Sequence, residues 1–191
     1  MRTKASGQSA LLLLDIIDIL NRRHTPYAIV GAFAASFYGV VRASLDADAV
    51  ISVHTSQDAA NLCKDFGAEG LTAERRWGNQ DDPIGEVINI QDRFHNRVDL
   101  LIGIRGMTQE AFHRLEKARF MDCSIKVIGR EDFIAMKIFA GSSKDILDVI
   151  GVLNVSGEKI DLKLLKKLTA QYGADCAKKL QALLKEHRLE E

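Results

Sequence analysis

The 191-residue sequence has little of what marks secreted, zinc-binding or membrane proteins. Its three cysteines are odd in number and form no Cys-x-x-Cys pair, which argues against a disulfide framework and a cysteine zinc site. The apolar run at residues 11–14 is interrupted by Asp15, so it is too short for a signal-peptide core or a membrane-spanning helix. These features predict a protein of a reducing, cytoplasmic setting, without a membrane partner.

The sequence also has no excess of charge of either sign. The 26 Lys and Arg residues balance 26 Asp and Glu residues, which excludes attraction of the whole molecule to a polyanion. Hydrophobic residues make up 47% and charged residues 27%, values typical of a globular protein rather than a disordered one. A chain of this length buries a core without disulfide bonds, so we expect one domain, or one domain with a small appendage.

Apolar spacing and turn residues predict an alternation of helices and strands. We predict helices at residues 9–23, 32–38, 56–66, from 108, 131–140, 144–153, 161–172 and 174–187. We predict strands at residues 27–30, 45–53, 86–90, 97–102 and 124–128, with a polar loop at 74–83. The predicted fold is therefore α/β, of the α+β type: a mixed β-sheet flanked by helices over residues 1–128, followed by a helical C-terminal subdomain over 129–191 packed on that core.

Two carboxylates lie two residues apart on one predicted strand. Side chains alternate along a strand, so Asp46 and Asp48 point to one face with Cα atoms about 6.5–7 Å apart. The alternate residues Ala47, Ala49 and Ile51 then face the core. Two carboxylates beside an apolar layer repel each other and lose hydration, and a divalent cation relieves both costs. Hard oxygen ligands of this kind suit Mg²⁺.

A third carboxylate and a glycine fit the same chemistry. Asp99 interrupts the apolar segment 98–102, where an unpaired charge is expensive. If its strand lies beside the first one, Asp99 completes a three-carboxylate site for one or two metals. Gly31 separates a strand from a helix and allows phosphate to approach the helix N–H groups. Each feature alone has a plainer explanation, as a solvated strand edge, a hydrogen-bonded core group or a turn.

The order of these residues resembles the small nucleotidyltransferases of the DNA polymerase β-like superfamily. In particular it resembles the toxin-type enzymes of abortive-infection toxin–antitoxin systems and their uncharacterised relatives. The first matching motif is Gly31-Ala32-x-Ala34, then Gly39, then Arg42-x-Ser44-x-Asp46-x-Asp48. A looser second motif comprises residues 131–137 and Lys144-Asp145-x-x-Asp148. The resemblance covers about residues 27–153.

The resemblance implies roles for nine residues. It implies three catalytic and metal-binding carboxylates, with the last also the base: Asp46, Asp48 and Asp99. It implies six nucleotide-binding residues: Gly31, Ala32, Arg42, Ser44, Lys137 and Lys144. The implied cofactor is Mg²⁺ or Mn²⁺, and the implied co-substrate is a nucleoside triphosphate such as ATP.

Several of these residues also allow a second interpretation. Arg42 either anchors phosphate or pairs with Asp46. Lys137 either faces phosphate or extends its charge from an apolar helix face to water. Lys144 and Asp145 either lie at the rim of the site or pair with each other.

Two further charged stretches have a functional and a structural explanation. The segment 75–77, Arg-Arg-Trp, either contacts substrate by charge and stacking or forms a hairpin tip. Four lysines on one side of a predicted helix either hold RNA or form a solvated face: Lys159, Lys163, Lys166 and Lys167.

The sequence therefore predicts a Mg²⁺-dependent nucleotidyltransferase. It would transfer a nucleoside monophosphate to an acceptor hydroxyl on RNA such as tRNA, on protein or on a small molecule, and release pyrophosphate. The toxin-type resemblance adds a possible antitoxin partner. Ala32 lacks the hydroxyl often found at that position, which leaves open a catalytically impaired nucleotide-binding or partner-binding module with the same fold. A third hypothesis is a structural protein whose carboxylates pair with Arg42 and Arg97.

Overall fold

The computed structural model describes residues 1–187 and 189. Residues 188, 190 and 191 of the predicted C-terminal subdomain lie outside this part of the chain. The described helices are Ser9–Arg22 (α1), Gly31–Phe37 (α2), Ser56–Ala68 (α3), Arg130–Ala140 (α4), Ser143–Ser156 (α5), Leu162–Gln171 (α6) and Ala174–Glu186 (α7). The described strands are Tyr27–Ile29 (β1), Asp46–Ile51 (β2), Thr72–Trp77 (β3), Ile84–Gln91 (β4), Arg97–Ile104 (β5), Glu116–Phe120 (β6) and Cys123–Val127 (β7).

The strands form one seven-stranded sheet in the order β3-β4-β5-β2-β1-β7-β6. Strands β2 and β5 pair in parallel, as do β1 and β7, and the other neighbours are antiparallel. The sheet is therefore mixed, and helices flank it. This confirms the predicted fold class.

The two faces of the central strands have opposite character. On β2, Ala47 and Ala49 are fully buried, and Val98 and Leu100 are fully buried beside them on β5. This face packs under α1 and α3, because α1 contacts both central strands and α3 contacts α1 and β3. The opposite face carries the half-buried carboxylates, as strand alternation predicts.

The last four helices pack on one another and on the rest of the chain. Helix α4 follows β7 directly and contacts α5, α6 and α7. The hydroxyl of Tyr38, at the end of α2, donates a hydrogen bond to the carbonyl of Ile128, just before α4. Val40 lies against Gly151 of α5. No helix in residues 1–187 and 189 is long and apolar enough to cross a membrane.

The structure corrects the two sequence-based assignments nearest the sheet edges. Residues 74–77, predicted as loop, belong to the edge strand β3, and their polar composition reflects solvent beside an edge. The helix predicted from residue 108 is one 3₁₀ turn, Gln109–His113, and the next residues form the other edge strand, β6.

The predicted lysine face also needs one adjustment. Lys159 lies in the 3₁₀ turn Gly157–Lys159 and not on a helix with the other lysines. Lys163, Lys166 and Lys167 lie on α6 and are exposed.

Candidate functional site

The parallel pairing of β2 and β5 brings two carboxylates together. In the register, Asp48 lies directly opposite Asp99, and Asp46 lies opposite Arg97. Neighbouring strands are about 4.8 Å apart, and residues in register share a face. The structure thus brings Asp46, Asp48 and Asp99 onto one sheet face, which the sequence predicted only on condition that the strands are neighbours.

Ser9 holds the beginnings of these two strands together. Its hydroxyl donates a 2.5 Å hydrogen bond to the carbonyl of Leu45 and accepts a 3.1 Å hydrogen bond from the N–H of Arg97. Ser9 is buried at the start of α1. One side chain therefore links the residue before Asp46 to the residue opposite it.

Gly31 lies against the Asp48 carboxylate. Its φ of +62° belongs to the left-handed region that favours glycine. A Cβ at this position would overlap the Oδ2 atom of Asp48. The N–H of Val30 also donates a 3.0 Å hydrogen bond to the Asp48 carbonyl. Glycine is therefore required here by backbone conformation and by the closeness of the carboxylate.

The Asp48 carboxyl is the electrostatically strained group of the site. Burial, and then the nearby Asp99 charge, raise its pKa to about 6, while Lys137 opposes the shift. Among the described residues, no side chain or backbone N–H donates a hydrogen bond to its oxygens. Asp48 is therefore a carboxylate whose charge the described residues only partly balance.

Asp99, in contrast, accepts three hydrogen bonds from other side chains. The guanidinium of Arg97 donates to both oxygens, at 2.9 Å from Nε to Oδ1 and 2.8 Å from Nη2 to Oδ2. Asn89 on β4 donates a third bond, 2.7 Å from Nδ2 to Oδ1. In this arrangement, residues 1–187 and 189 contain no group of three or more His, Cys, Asp or Glu side chains placed to hold a metal ion. The hypothesis of a structural protein expects the carboxylates to pair with Arg42 and Arg97. The ion pair between Arg97 and Asp99 is present.

Two further cations near the site, Lys137 and Arg42, share one buried carboxylate, Asp148. Lys137 Nζ lies 2.6 Å from Asp145 Oδ1 and 3.0 Å from Asp148 Oδ2. Arg42 Nε lies 3.0 Å from Asp148 Oδ1, and Nη2 lies 3.3 Å from Oδ2. Asp148 is 1% exposed. Arg42 therefore pairs with Asp148 and not with Asp46.

The same contacts settle how Lys137 and Asp145 are placed. Lys137 is only 7% exposed, so its charge does not extend to water. Asp145 pairs with Lys137 and caps α5 together with Ser142, and Lys144 is exposed rather than paired with Asp145. Burial disfavours the charged form of Asp145, but the hydrogen bonds from Lys137 and Ser142 outweigh it and lower its pKa.

A cleft of about 210 Å³ opens between the sheet and α4, beside Asp48. Its polar lining includes Gly31, Asp48, Lys137 and Asp145, and most of the rest is apolar. A second recess of about 260 Å³ lies on the outer side of α2. Its lining includes Ala32, Ser36, Arg42 and Ser44.

The predicted nucleotide-binding residues are thus divided. Gly31 and Lys137 line the cleft, whereas Ala32, Arg42 and Ser44 line the recess. Ser44 is exposed, and its hydroxyl donates a 2.9 Å bond to the Asp46 carbonyl. Lys144 lines neither.

Sequence reasoning missed Ser9, Asn89 and Asp148 as parts of the site. Asn89 lies on an alternating strand, and a polar side chain at the position opposite Asp99 is a signal only after strand pairing is known. Asp148 belongs to the second motif, where its regular spacing from Asp145 was the available signal.

Arg75, Arg76 and Trp77 lie on the outermost strand and not at a hairpin tip. Arg75 pairs with Glu86 and stacks on Trp77, with its Cζ 4.8 Å from the ring centroid. Trp77 is 62% exposed. Register places Arg75 and Trp77 on the face opposite to Asp99.

Comparisons with known proteins identify the fold. No protein-family model and no curated protein matches the chain. Among solved structures, ANT(2'')-Ia in complex with adenylyl-2''-tobramycin has a TM-score of 0.58 and 16% identity, covering 85% of this chain and 98% of that one. An antigenic nucleotidyltransferase-like protein from Paracoccidioides brasiliensis has a TM-score of 0.52 and 17% identity, covering 96% and 95%. The lincosamide antibiotic adenylyltransferase LnuA, bound to lincomycin, has a TM-score of 0.50 and 13% identity, covering 80% and 99%. The chain therefore has the nucleotidyltransferase fold.

Proposed function

We propose that the protein is a metal-dependent nucleotidyltransferase that moves a nucleoside monophosphate from a nucleoside triphosphate to an acceptor hydroxyl. The observation that carries this proposal is the register of β2 and β5, which places Asp48 opposite Asp99 on the face that also bears Asp46. The fold shared with ANT(2'')-Ia and LnuA supports the same reaction class.

The three carboxylates have the chemistry that a divalent cation requires, although Arg97 would have to release Asp99 before all three could bind one. They are hard oxygen donors on one face, and Asp48 has a raised pKa and no hydrogen-bond donor among the described residues. Asp46, Asp48 and Asp99 would hold Mg²⁺ or Mn²⁺. A cation bound there would neutralise negative charge on the α-phosphate and on the leaving pyrophosphate.

The chain's own residues divide the remaining tasks. The triphosphate approaches Gly31 and the N–H of Ala32, at the position where the missing Cβ leaves room for the Asp48 carboxylate. Lys137 contributes positive charge from α4, on the opposite wall of the cleft. Arg42 and Ser44 contact the nucleotide from the recess on the other side of α2. Lys144 remains a proposed contact at the rim.

Asp99 acts on the acceptor side. As the acceptor oxygen attacks the α-phosphorus, Asp99 takes up the hydroxyl proton on an oxygen that Arg97 would first have to release. The bond from the α-phosphorus to its bridging oxygen breaks, and pyrophosphate leaves with the electron pair. Asn89 keeps the Asp99 carboxylate oriented through its 2.7 Å hydrogen bond.

The test is label transfer from each α-labelled triphosphate in the presence of Mg²⁺ and a cell extract. The products are separated into RNA, protein and small-molecule fractions, which identifies the acceptor class. We expect the native chain to transfer label and Asp46→Asn to lose the transfer. The control is Asp122→Asn, which makes the same change at an exposed position outside the proposed site. This variant should keep the label transfer.

Two outcomes would contradict the proposal. If Asp46→Asn transfers label as well as the native chain does, the proposed catalytic role of these carboxylates is wrong. Thermal stabilisation by a triphosphate, without transfer to any fraction, would instead identify a binding module. The buried side chain of Ala32, which supplies no hydroxyl to phosphate, motivates that second outcome.

A further inference from the structure

Arg97 occupies an unusual place for a basic residue. It lies on β5 opposite Asp46 and two residues before Asp99, on the face that bears all three carboxylates. Its guanidinium bonds to both oxygens of Asp99. The charges of Asp46 and Asp48 attract it as well. Arg97 is therefore a cation that the fold itself bonds directly to this cluster.

We propose that Arg97 is an internal counter-ion that a divalent metal must displace from Asp99. This inference rests on the proposed function, because it assumes that the carboxylates bind metal. Both oxygens of Asp99 are held by the guanidinium, and Asn89 takes a further acceptor site on Oδ1. A metal that uses Asp99 competes with Arg97 for the same oxygens.

The exposures of the two partners make this displacement feasible. The Arg97 side chain is 40% exposed, while that of Asp99 is 15% exposed. Arg97 can therefore turn towards solvent without opening the core, and Asp99 stays in place through its bond to Asn89. Asp48, which has no such cation bonded to it among the described residues, does not limit metal entry in the same way.

The test is Mn²⁺ binding, measured by electron paramagnetic resonance on the full chain without nucleotide. A bidentate charge-assisted bond contributes about 1.5–3 kcal/mol, so we expect Arg97→Gln to bind Mn²⁺ about ten- to hundred-fold more tightly than the native chain. Arg97→Lys keeps the charge but loses the planar fork, and should show a smaller gain. In EDTA, Arg97→Gln should melt at a lower temperature, and Mn²⁺ should raise its Tm by more than that of the native chain.

The matched control is Arg75→Gln. Arg75 forms a similar side-chain pair with Glu86 on the opposite face of the same sheet. Its loss should lower the Tm and leave Mn²⁺ affinity unchanged, which separates a general loss of stability from a change at the site.

The outcomes separate this inference from the proposed function. Equal or weaker Mn²⁺ binding by Arg97→Gln and Arg97→Lys, with tight binding by the native chain, would overturn the counter-ion role and leave the nucleotidyltransferase proposal standing. Failure of the native chain and both variants to bind Mn²⁺ would overturn the metal site, and the inference with it.

Discussion

Replacing Asp48 by asparagine should stabilise the fold and abolish its proposed activity. The Asp48 carboxyl has a pKa of about 6 in the folded chain, against an ordinary value of 3.8. One pKa unit corresponds to about 1.36 kcal/mol, so ionised Asp48 destabilises the fold by about 3 kcal/mol. Asparagine has nearly the same shape and carries no charge, so the variant removes this cost.

The raised pKa of Asp48 also determines how the free energy of unfolding should change with pH. Because the folded-state pKa is raised, the folded chain binds more protons than the unfolded chain between about pH 4 and pH 6. The contribution of Asp48 therefore lowers the free energy of unfolding as pH rises through this window, and is constant above it. Asp48→Asn lacks this slope. The variant and the native chain should be similar near pH 4, and the variant should be more stable at pH 8.

The measurement is urea-induced unfolding followed by circular dichroism, in EDTA, at pH values from 4 to 8. We expect Asp48→Asn to gain about 1–3 kcal/mol at pH 8, the lower end allowing for relaxation around the buried group. Asp122→Asn, at an exposed position, should follow the native curve. Mg²⁺ should stabilise the native chain and not Asp48→Asn. A variant that is less stable at pH 8, or that keeps the native slope, would refute the assignment of strain to Asp48.

Three further substitutions test the surroundings of this carboxylate. Gly31→Ala should abolish label transfer and should lose more stability in urea unfolding than Gly70→Ala. Both glycines have a positive φ, but of the two only Gly31 faces a carboxylate. Equal losses of stability would argue against the contact with Asp48. Lys137→Gln should weaken triphosphate binding by about ten-fold in calorimetry, since it removes a charge from the cleft wall; unchanged affinity would exclude the contact. If the Ser9 hydroxyl sets the register of β2 and β5, Ser9→Ala should lower kcat with little effect on KM. Ser9→Thr keeps a hydroxyl and should restore kcat. If threonine does not restore kcat, Ser9 contributes to stability alone.

Local pattern predicted the faces of the central strands but not all of their neighbours. Alternation along β2 is enough to place Asp46 and Asp48 together, because it depends only on residues two apart. The position of Asp99 beside Asp48 depends on the pairing of two strands, and these residues are 51 positions apart in sequence. A single sequence does not show which strands pair, so this placement could be predicted only on the condition that the two strands are neighbours. The resemblance supplied that step, and the register shows the two residues opposite each other.

The misassigned elements share a physical cause. Strands β3 and β6 are the two edges of the sheet, and all of their charged side chains except Arg75 are exposed. The composition of β3 therefore matches that of a loop, and its hydrogen bonding to β4 identifies it as a strand, just as pairing with β7 identifies β6. The pairing of Arg42 with Asp148 was equally inaccessible, because 106 residues separate the two in sequence.

The position of Asp148 bears on how the chain unfolds. This carboxylate is buried on α5 and neutralises Arg42 from the loop before β2 and Lys137 from α4. Cleavage near residue 128 would leave Arg42 without this partner in one fragment and Asp148 without Arg42 in the other. The buried Asp148 would then keep Lys137 as its partner and lose Arg42, which lowers the stability of the C-terminal fragment. We therefore expect residues 1–128 and 129–191 to melt in a single cooperative transition in calorimetry, and two separate transitions would contradict this coupling.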